Sequence, residues 1–190
     1  MSITKPGERK LQILQALAGM LENPKGEKIT TAALAAKIDV SEATLYRHFA
    51  SKAQMFEGLI EFIESSVFSL INQIGLDHKE GLVQVQNISL MLLSFAERNP
   101  GMTKVLIGDA LVNEDPRLQQ HMNQLIDRIE LAFKQSLRLA VAHGGGMEKE
   151  VALRANLLIS FILGRWQRYA KSGFKALPSE NAIAQIALLL

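Results

Sequence analysis

The chain has 190 residues, of which 48% are hydrophobic, 21% are charged and none is cysteine, and its formal net charge is +2. This composition excludes general disorder, disulfide bonds and thiolate metal sites, and it is what we expect of a protein of the reducing cytoplasm. No apolar leader is visible, and the longest uncharged stretch, 81–96, is shorter than the ~20 apolar residues of a bilayer span. We therefore expect no membrane segment.

Apolar residues recur at spacings of three and four, which predicts an all-α protein. Caps and breakers set the boundaries: Thr30 or Thr31 caps one helix, Ser41 and Ser51 cap two more, and the stretch Asn99-Pro100-Gly101 ends another. A loop is predicted at 23–26. The nine predicted helices span 8–22, 31–37, 42–49, 52–75, 82–98, 102–111, 115–142, 147–172 and 179–190.

The basic residues are concentrated near the start of the chain. Residues 1–56 contain eight Lys or Arg and five Asp or Glu, whereas the remainder contains thirteen and fourteen. This asymmetry favours a small head that faces nucleic acid on a neutral body, although a solvated surface has the same composition.

Two short helices, 31–37 and 42–49, follow one another across a tight turn, which is typical of a helix-turn-helix. Its second helix would lie in a major groove, with Ala43, Leu45 and Phe49 facing inward. Hydroxyl, phenol, guanidinium and imidazole groups suit phosphates and base edges, and Lys52 follows at the next helix start. The side chains predicted to face DNA are Thr44, Tyr46, Arg47 and His48.

The stretches 29–31, 34–35 and 40–52 resemble the signature of the TetR family of DNA-binding proteins. The resemblance implies a head of three helices at 1–51 and a dimerising body at 52–190, about nine helices in all. It also implies phosphate contacts by Tyr46, His48 and Lys52 and base contacts near Ser41 to Thr44, although Tyr46 would alternatively pack the head. The candidate DNA-binding residues are Thr30, Thr31, Ser41, Ala43, Thr44, Tyr46, Arg47, His48 and Lys52.

The body carries a second resemblance. The stretches 55–64, 94–102, 117–119 and 123–130 resemble the nucleoid occlusion factors within this family. That resemblance implies a nucleoid-associated cytoplasmic homodimer, with one or more dimers on each palindromic chromosomal site. When bound to DNA, such a factor binds the C-terminal tail of the tubulin-like GTPase FtsZ and antagonises its polymers, so that no septum forms over the chromosome.

The fourth and fifth helices carry more apolar surface than one core needs, which predicts a groove for a short peptide. Arg98 at its rim would bind a carboxylate, or alternatively would complement the dipole of its own helix. The alternative for the apolar residues of this groove is that they are simply buried in the core of the protein. The chain departs from the nearest relatives at Leu70 and Ser94, where we expect Arg and Gly. The candidate partner-binding residues are Phe62, Met91, Ser94, Phe95 and Arg98.

The eighth predicted helix is apolar on several sides, which predicts burial in a four-helix dimer interface. A two-fold axis would set the two reading helices about one DNA turn, ~34 Å, apart. The residues on which this prediction rests are Ile159, Phe161, Ile162, Leu163 and Trp166.

Two other functions are alternatives to DNA-bound nucleoid occlusion. Catalysis is poorly supported. The histidines at 48, 78, 121 and 143 lack the spacing of metal ligands, and the glycines at 144–146 lack the lysine of a phosphate-binding loop. We therefore predict no catalytic residue, no metal and no cofactor. The stronger rival is a repressor that senses a small molecule in a cavity of the body. The residues that would line it, or else fill the core, are Phe68, Met91, Met122, Trp166 and Tyr169.

Overall fold

The structure is a computed structural model that describes residues 7–23 and 29–190, so the predicted loop residues Pro24, Lys25 and Gly26 lie outside it. The described residues form helices and no strand, which confirms the predicted all-α class. The helices are α1 Glu8–Leu21, α2 Thr31–Lys37, α3 Glu42–His48, α4 Lys52–Asp77, α5 Gly81–Arg98, α6 Pro100–Leu106, α7 Pro116–Ala142, α8 Glu148–Lys171 and α9 Ala182–Leu189.

The helix starts near the N-terminus are capped as their sequences predict. The side-chain oxygens of Thr30, Ser41 and Ser51 each accept the N–H three residues on, at 3.2–3.3 Å. Thr30, rather than Thr31, therefore caps α2. The turn between α2 and α3 contains Asp39 at φ 53°, a left-handed conformation that Asp tolerates better than most residues because its short side chain can hydrogen-bond locally.

Two predicted boundaries are wrong. The helix predicted at 102–111 ends at Leu106, because Gly108 takes a φ of +80° and a short 3-10 helix, Asp109–Leu111, follows. The last helix begins at Ala182 rather than at Ser179. Ser179 does not cap it, since its N–H donates to Glu97 Oε1 at 2.6 Å and so ties the preceding turn to α5.

Helix α7 lies at the centre of the body and packs against α4, α5 and α8. Gly81 permits the closest approach: an added Cβ would lie 2.9 Å from Ala140 Cα and closer still to neighbouring backbone atoms of α7. Across the same contact Ser136 Oγ donates to Gln84 Oε1 at 2.9 Å. The start of α5 is therefore fixed on α7 with no space for a side chain.

Helix α6 joins the body to the N-terminal helices. Gly101 packs directly on the backbone of α1, because an added Cβ would lie 2.8 Å from the carbonyl carbon of Ala18. Lys104 Nζ donates to the backbone oxygen of Asn23, just after α1, at 2.8 Å. Burial lowers the pKa of this Lys104 ammonium. Head and body thus meet through backbone contact as well as through side chains.

Helix α4 runs without a break from the head into the body over 26 residues. By length and apolar composition it would suffice to cross a membrane, a test that core helices of bundles also pass. Here it packs against α1, α5 and α7.

His121 of α7 lies between two carboxylates of α4, with Nδ1 2.7 Å from Glu57 Oε1 and Nε2 3.0 Å from Glu64 Oε2.

The apolar residues of α8 divide between the core and the surface. Ile159, Ile162 and Trp166 are buried within the protomer and need no dimer partner to cover them, which corrects the prediction for these three, whereas Phe161 and Leu163 are half-buried. Leu153 and Leu157 lie on the opposite side and are 66% and 53% exposed. Burial within the protomer therefore leaves a different apolar face of α8 uncovered.

Helix α9 contains one unsatisfied polar atom. Gln185 Oε1 is buried with no hydrogen-bond partner, in a helix that packs on α5 and α8. Because a buried acceptor without a partner costs about 1–3 kcal/mol, Gln185→Met should raise the free energy of unfolding by roughly 1 kcal/mol. Urea unfolding at one protein concentration checks this value, with the exposed Gln135→Met as a near-neutral control. A less stable Gln185→Met protein would contradict the assignment.

Candidate DNA-binding surface and partner groove

Helix α3 turns one side to the head and the other to solvent. Leu45 and Phe49 are buried one helical turn apart, and Tyr46 is 44% exposed beside the exposed Arg47. Ala43 is exposed, so the prediction that it faces inward is wrong; two positions before Leu45, it lies about 200° away around the helix. The remaining candidates Thr30 and Ser41 are exposed, and Thr31, Thr44 and His48 are half-buried.

Hydrogen bonds connect the two helices of the predicted motif. Tyr46 donates its hydroxyl to Thr31 Oγ1 at 3.4 Å, and the Thr31 hydroxyl donates to a carboxylate oxygen of Glu42. Ser41 Oγ and Thr44 Oγ1 lie 3.0 Å apart. Side chains from α2 and from α3 therefore form one polar surface. Glu42 is the member of this network that sequence reasoning missed, because a carboxylate is not an expected partner of DNA.

Lys52 is held apart from this polar surface. Its ammonium forms an ion pair with Glu114, which lies between the 3-10 helix and α7, and lies 5.6 Å from the centre of the Phe56 ring. The side chain of Lys52 is 23% exposed and that of Glu114 is 16% exposed. The structure therefore directs the one predicted phosphate-binding lysine towards the body.

The predicted partner groove lies where α4 packs against α5. Phe62 of α4 and the α5 residues Met91, Ser94 and Phe95 are all half-buried, and Arg98 at the end of α5 is exposed. Packing within the protomer therefore leaves part of each apolar side chain accessible. Leu70, on the same helix as Phe62, is 43% exposed and extends the apolar surface of α4.

Helix α8 holds the last turns of α5 by two hydrogen bonds. Trp166 Nε1 donates to the backbone oxygen of Leu92 at 3.1 Å, and the Tyr169 hydroxyl donates to that of Glu97 at 3.2 Å. Burial raises the pKa of Tyr169, whose ring packs edge-on against Phe174 with centroids 5.2 Å apart. The indole N–H and the phenol hydroxyl are thus both used in hydrogen bonds to the backbone of α5. The helical spacing of the sequence did not reveal this role.

Two cavities in the described part of the chain lie elsewhere. One of about 610 Å³ opens between α1, α4, α6 and the end of α8, and one of about 530 Å³ opens between α6, α7 and α8. Of the five residues predicted to line a ligand cavity, only Met122 borders either of them. Among residues 7–23 and 29–190 there is no group of three or more His, Asp or Glu side chains arranged to hold a metal.

Two family models match different parts of this chain. Residues 27–59 match the model of the bacterial regulatory proteins of the TetR family, and residues 79–190 match an SlmA-like model described as a tetracyclin repressor-like C-terminal domain. Among solved structures, the TetR family regulator PfmR of Thermus thermophilus is similar at a TM-score of 0.78, with 21% identity, over 94% of this chain and 96% of that one. This likeness shows the fold.

Curated relatives are much closer in sequence. The nucleoid occlusion factor SlmA of Colwellia psychrerythraea is 49% identical over 183 residues, which cover 96% of this chain and 92% of that protein. SlmA of Aliivibrio fischeri is 47% identical over all of this chain and 97% of its own length. These relatives belong to a family of DNA-binding regulators rather than of enzymes. The chain therefore belongs to the SlmA family of nucleoid occlusion factors, within the TetR family of bacterial regulatory proteins.

Proposed function

We propose that this protein is a homodimer that binds palindromic chromosomal sites and, when bound to DNA, engages the C-terminal tail of FtsZ and antagonises FtsZ polymers. The observation that carries the proposal is identity near 49% to an SlmA protein over 96% of the chain, because it spans the body as well as the head. The protein would accordingly be found on the nucleoid. The domains we assign are 1–51 for DNA and 52–190 for dimerisation and partner binding.

The exposed chemistry of the head supports its part of the proposal. Tyr46 and Arg47 are exposed on α3, and the hydroxyls of Thr30 and Ser41 lie at the starts of α2 and α3. Hydroxyl, phenol and guanidinium groups are donors to phosphate oxygens, and the first residues of a reading helix meet base edges. We propose that the DNA-binding residues are Thr30, Thr31, Ser41, Ala43, Thr44, Tyr46, Arg47, His48 and Lys52.

The uncovered apolar side chains of α7 and α8 support dimerisation. Leu131 of α7 is 49% exposed, and Leu153 and Leu157 of α8 are more exposed still. Two helices from each protomer would bury these side chains in a four-helix interface. A two-fold axis there would present the two copies of α3 to successive major grooves, ~34 Å apart, so the DNA site would be a palindrome.

The surface between α4 and α5 supports the partner part of the proposal. A short peptide would bury the accessible parts of Phe62, Met91 and Phe95, and Arg98 would pair with a carboxylate of the peptide. Ser94, which is half-buried, lies between Met91 and Phe95 on α5. The peptide that we assign to it is the FtsZ tail.

Arg98→Asp should abolish binding of an FtsZ tail peptide and leave DNA binding unchanged. The change replaces a cation at the rim by an anion and so repels an acidic peptide, whereas the residue lies in the body rather than in the head. Fluorescence anisotropy of a labelled tail peptide, measured with DNA-bound protein, checks the prediction. Lys149→Asp alters an exposed cation at the start of α8 by the same charge and should bind the peptide normally. Undiminished binding by Arg98→Asp would place the groove elsewhere.

A ligand-controlled repressor is the second candidate, and the cavity of about 530 Å³ is the observation in its favour, since Met122 borders it with Gln119 and Asn123. A map of the chromosomal sites bound in living cells separates the two functions. Many dispersed palindromic sites that are sparse around the replication terminus would support nucleoid occlusion. One or two sites beside a transporter or enzyme operon would support the repressor.

A further inference from the structure

One ion pair crosses the boundary between head and body at the edge of the proposed DNA site. Lys52 is the first residue of α4, directly after the Ser51 cap, and Glu114 is 62 residues later, just before α7. Both side chains are largely enclosed, at 23% and 16% exposed, and the Lys52 ammonium also lies over the Phe56 ring. A phosphate therefore cannot reach this ammonium while the pair is closed.

We propose that Glu114 is a latch on the DNA-binding site, whose carboxylate competes with a DNA phosphate for the ammonium of Lys52. The inference rests on the proposed function, in which Lys52 contacts phosphate. Carboxylate and phosphate are both anions that bind an ammonium through charge-assisted hydrogen bonds, so they compete for it.

Opening the latch also affects the body. Once Lys52 binds phosphate, Glu114 loses its cation in a site where its side chain is only 16% exposed, and an enclosed unpaired charge is unfavourable. Lys171, which lines the same cavity as Glu114, is not a free substitute cation, because its Nζ already binds Asp109 Oδ2 at 2.6 Å. The segment 107–115 between α6 and α7 must then rearrange when DNA binds. DNA occupancy is thereby communicated to the body that carries the proposed partner groove.

Glu114→Gln tests the latch, because it keeps the shape of the side chain and removes its charge. The probe is a palindromic duplex that the wild-type protein selects from a random library, and the readout is the dissociation constant by fluorescence anisotropy at fixed salt. We expect Glu114→Gln to bind about threefold to tenfold more tightly, the range set by partly exposed ion pairs. Asp109→Asn removes the adjacent ion pair and should leave the affinity unchanged.

A double-mutant cycle assigns the gain to Lys52. Lys52→Ala should weaken DNA binding, and adding Glu114→Gln to Lys52→Ala should produce no gain. Unchanged or weaker binding by Glu114→Gln alone would overturn the latch, as would a gain that persists in full without Lys52. Matched thermal midpoints of the single variants and the wild type exclude misfolding as the cause of any loss. Unchanged binding by Lys52→Ala would remove Lys52 from the proposed DNA site and would overturn the latch with it, while the other proposed DNA-binding residues would be unaffected.

Discussion

Gly101→Ala should lower the free energy of unfolding by about 3 kcal/mol, the upper part of the range for overpacking, because α6 and α1 touch through their backbones. A Cβ at position 101 would overlap the carbonyl group of Ala18 and would lie 3.2 Å from Glu22 Cγ. Neither helix can yield easily, since Thr103 of α6 is fully buried and its hydroxyl bonds the backbone oxygen of Ala96 at 2.9 Å. Urea unfolding followed by circular dichroism measures the loss.

Gly75→Ala is the matched control for this change. Gly75 lies within α4, and an added Cβ there meets no atom within 4 Å. The same substitution should then stabilise the protein by up to ~1 kcal/mol, because alanine favours the helix over glycine. The two variants differ only in the space around the new methyl group. Equal stability of Gly101→Ala and wild type would mean that α1 and α6 lie farther apart than the structure places them.

Tyr46→Ala should weaken binding of the selected palindrome roughly 30-fold to 160-fold, on the basis of about 1–1.5 kcal/mol for a lost hydrogen bond in each head of the dimer. The side chain is 44% exposed and bonds only Thr31, at a long 3.4 Å, so its hydroxyl is available to a phosphate oxygen. Anisotropy of the labelled duplex measures the affinity. Wild-type affinity in this variant would contradict the assignment of α3 as the reading helix.

Tyr46→Phe distinguishes the contribution of the hydroxyl to DNA binding from that of the ring. It retains the ring and should weaken DNA binding by an intermediate amount, while both variants dimerise and melt as the wild type does. A large fall in the thermal midpoint of Tyr46→Ala would instead favour the alternative in which Tyr46 packs the head.

Local features of this fold follow from short-range sequence signals. The caps at Thr30, Ser41 and Ser51 depend on a hydroxyl and on an N–H three residues away, so composition at the helix start suffices to predict them. Most predicted helix ends agree with the structure within two residues for the same reason. The family resemblance then supplied the TetR family and its fold, which the comparisons confirm.

The errors in the sequence prediction arise where distant residues decide the conformation. The start of α9 depends on Glu97, which accepts the Ser179 N–H, and on Arg165, which donates to the backbone oxygens of Leu177, Pro178 and Glu180. Neither acceptor nor donor is adjacent in sequence to the turn that it holds. A hydroxyl that looks like a helix cap therefore does not act as one.

The candidate sites show the same limit. The residue types of α3 indicate DNA binding, and its exposed face follows from helical periodicity once Leu45 is placed inside. The partner of Lys52 could not be predicted, because Glu114 lies 62 residues away and its segment is positioned by the end of α6 and by Gly108 at its left-handed φ. Two charged residues that are far apart in the sequence and meet only in the folded protein leave no local pattern from which their pairing could be predicted.

The chain contains a single tryptophan, and its indole lies at the contact between α8 and α5 with no exposed surface. Tryptophan emission depends on the polarity around the ring and on the hydrogen bond of its N–H, which here ends at the Leu92 carbonyl. The intrinsic tryptophan fluorescence of this protein consequently reports on one place, the contact of α8 with α5 at Leu92. Ligand titrations, stopped-flow mixing and unfolding experiments can all observe that place without any added dye.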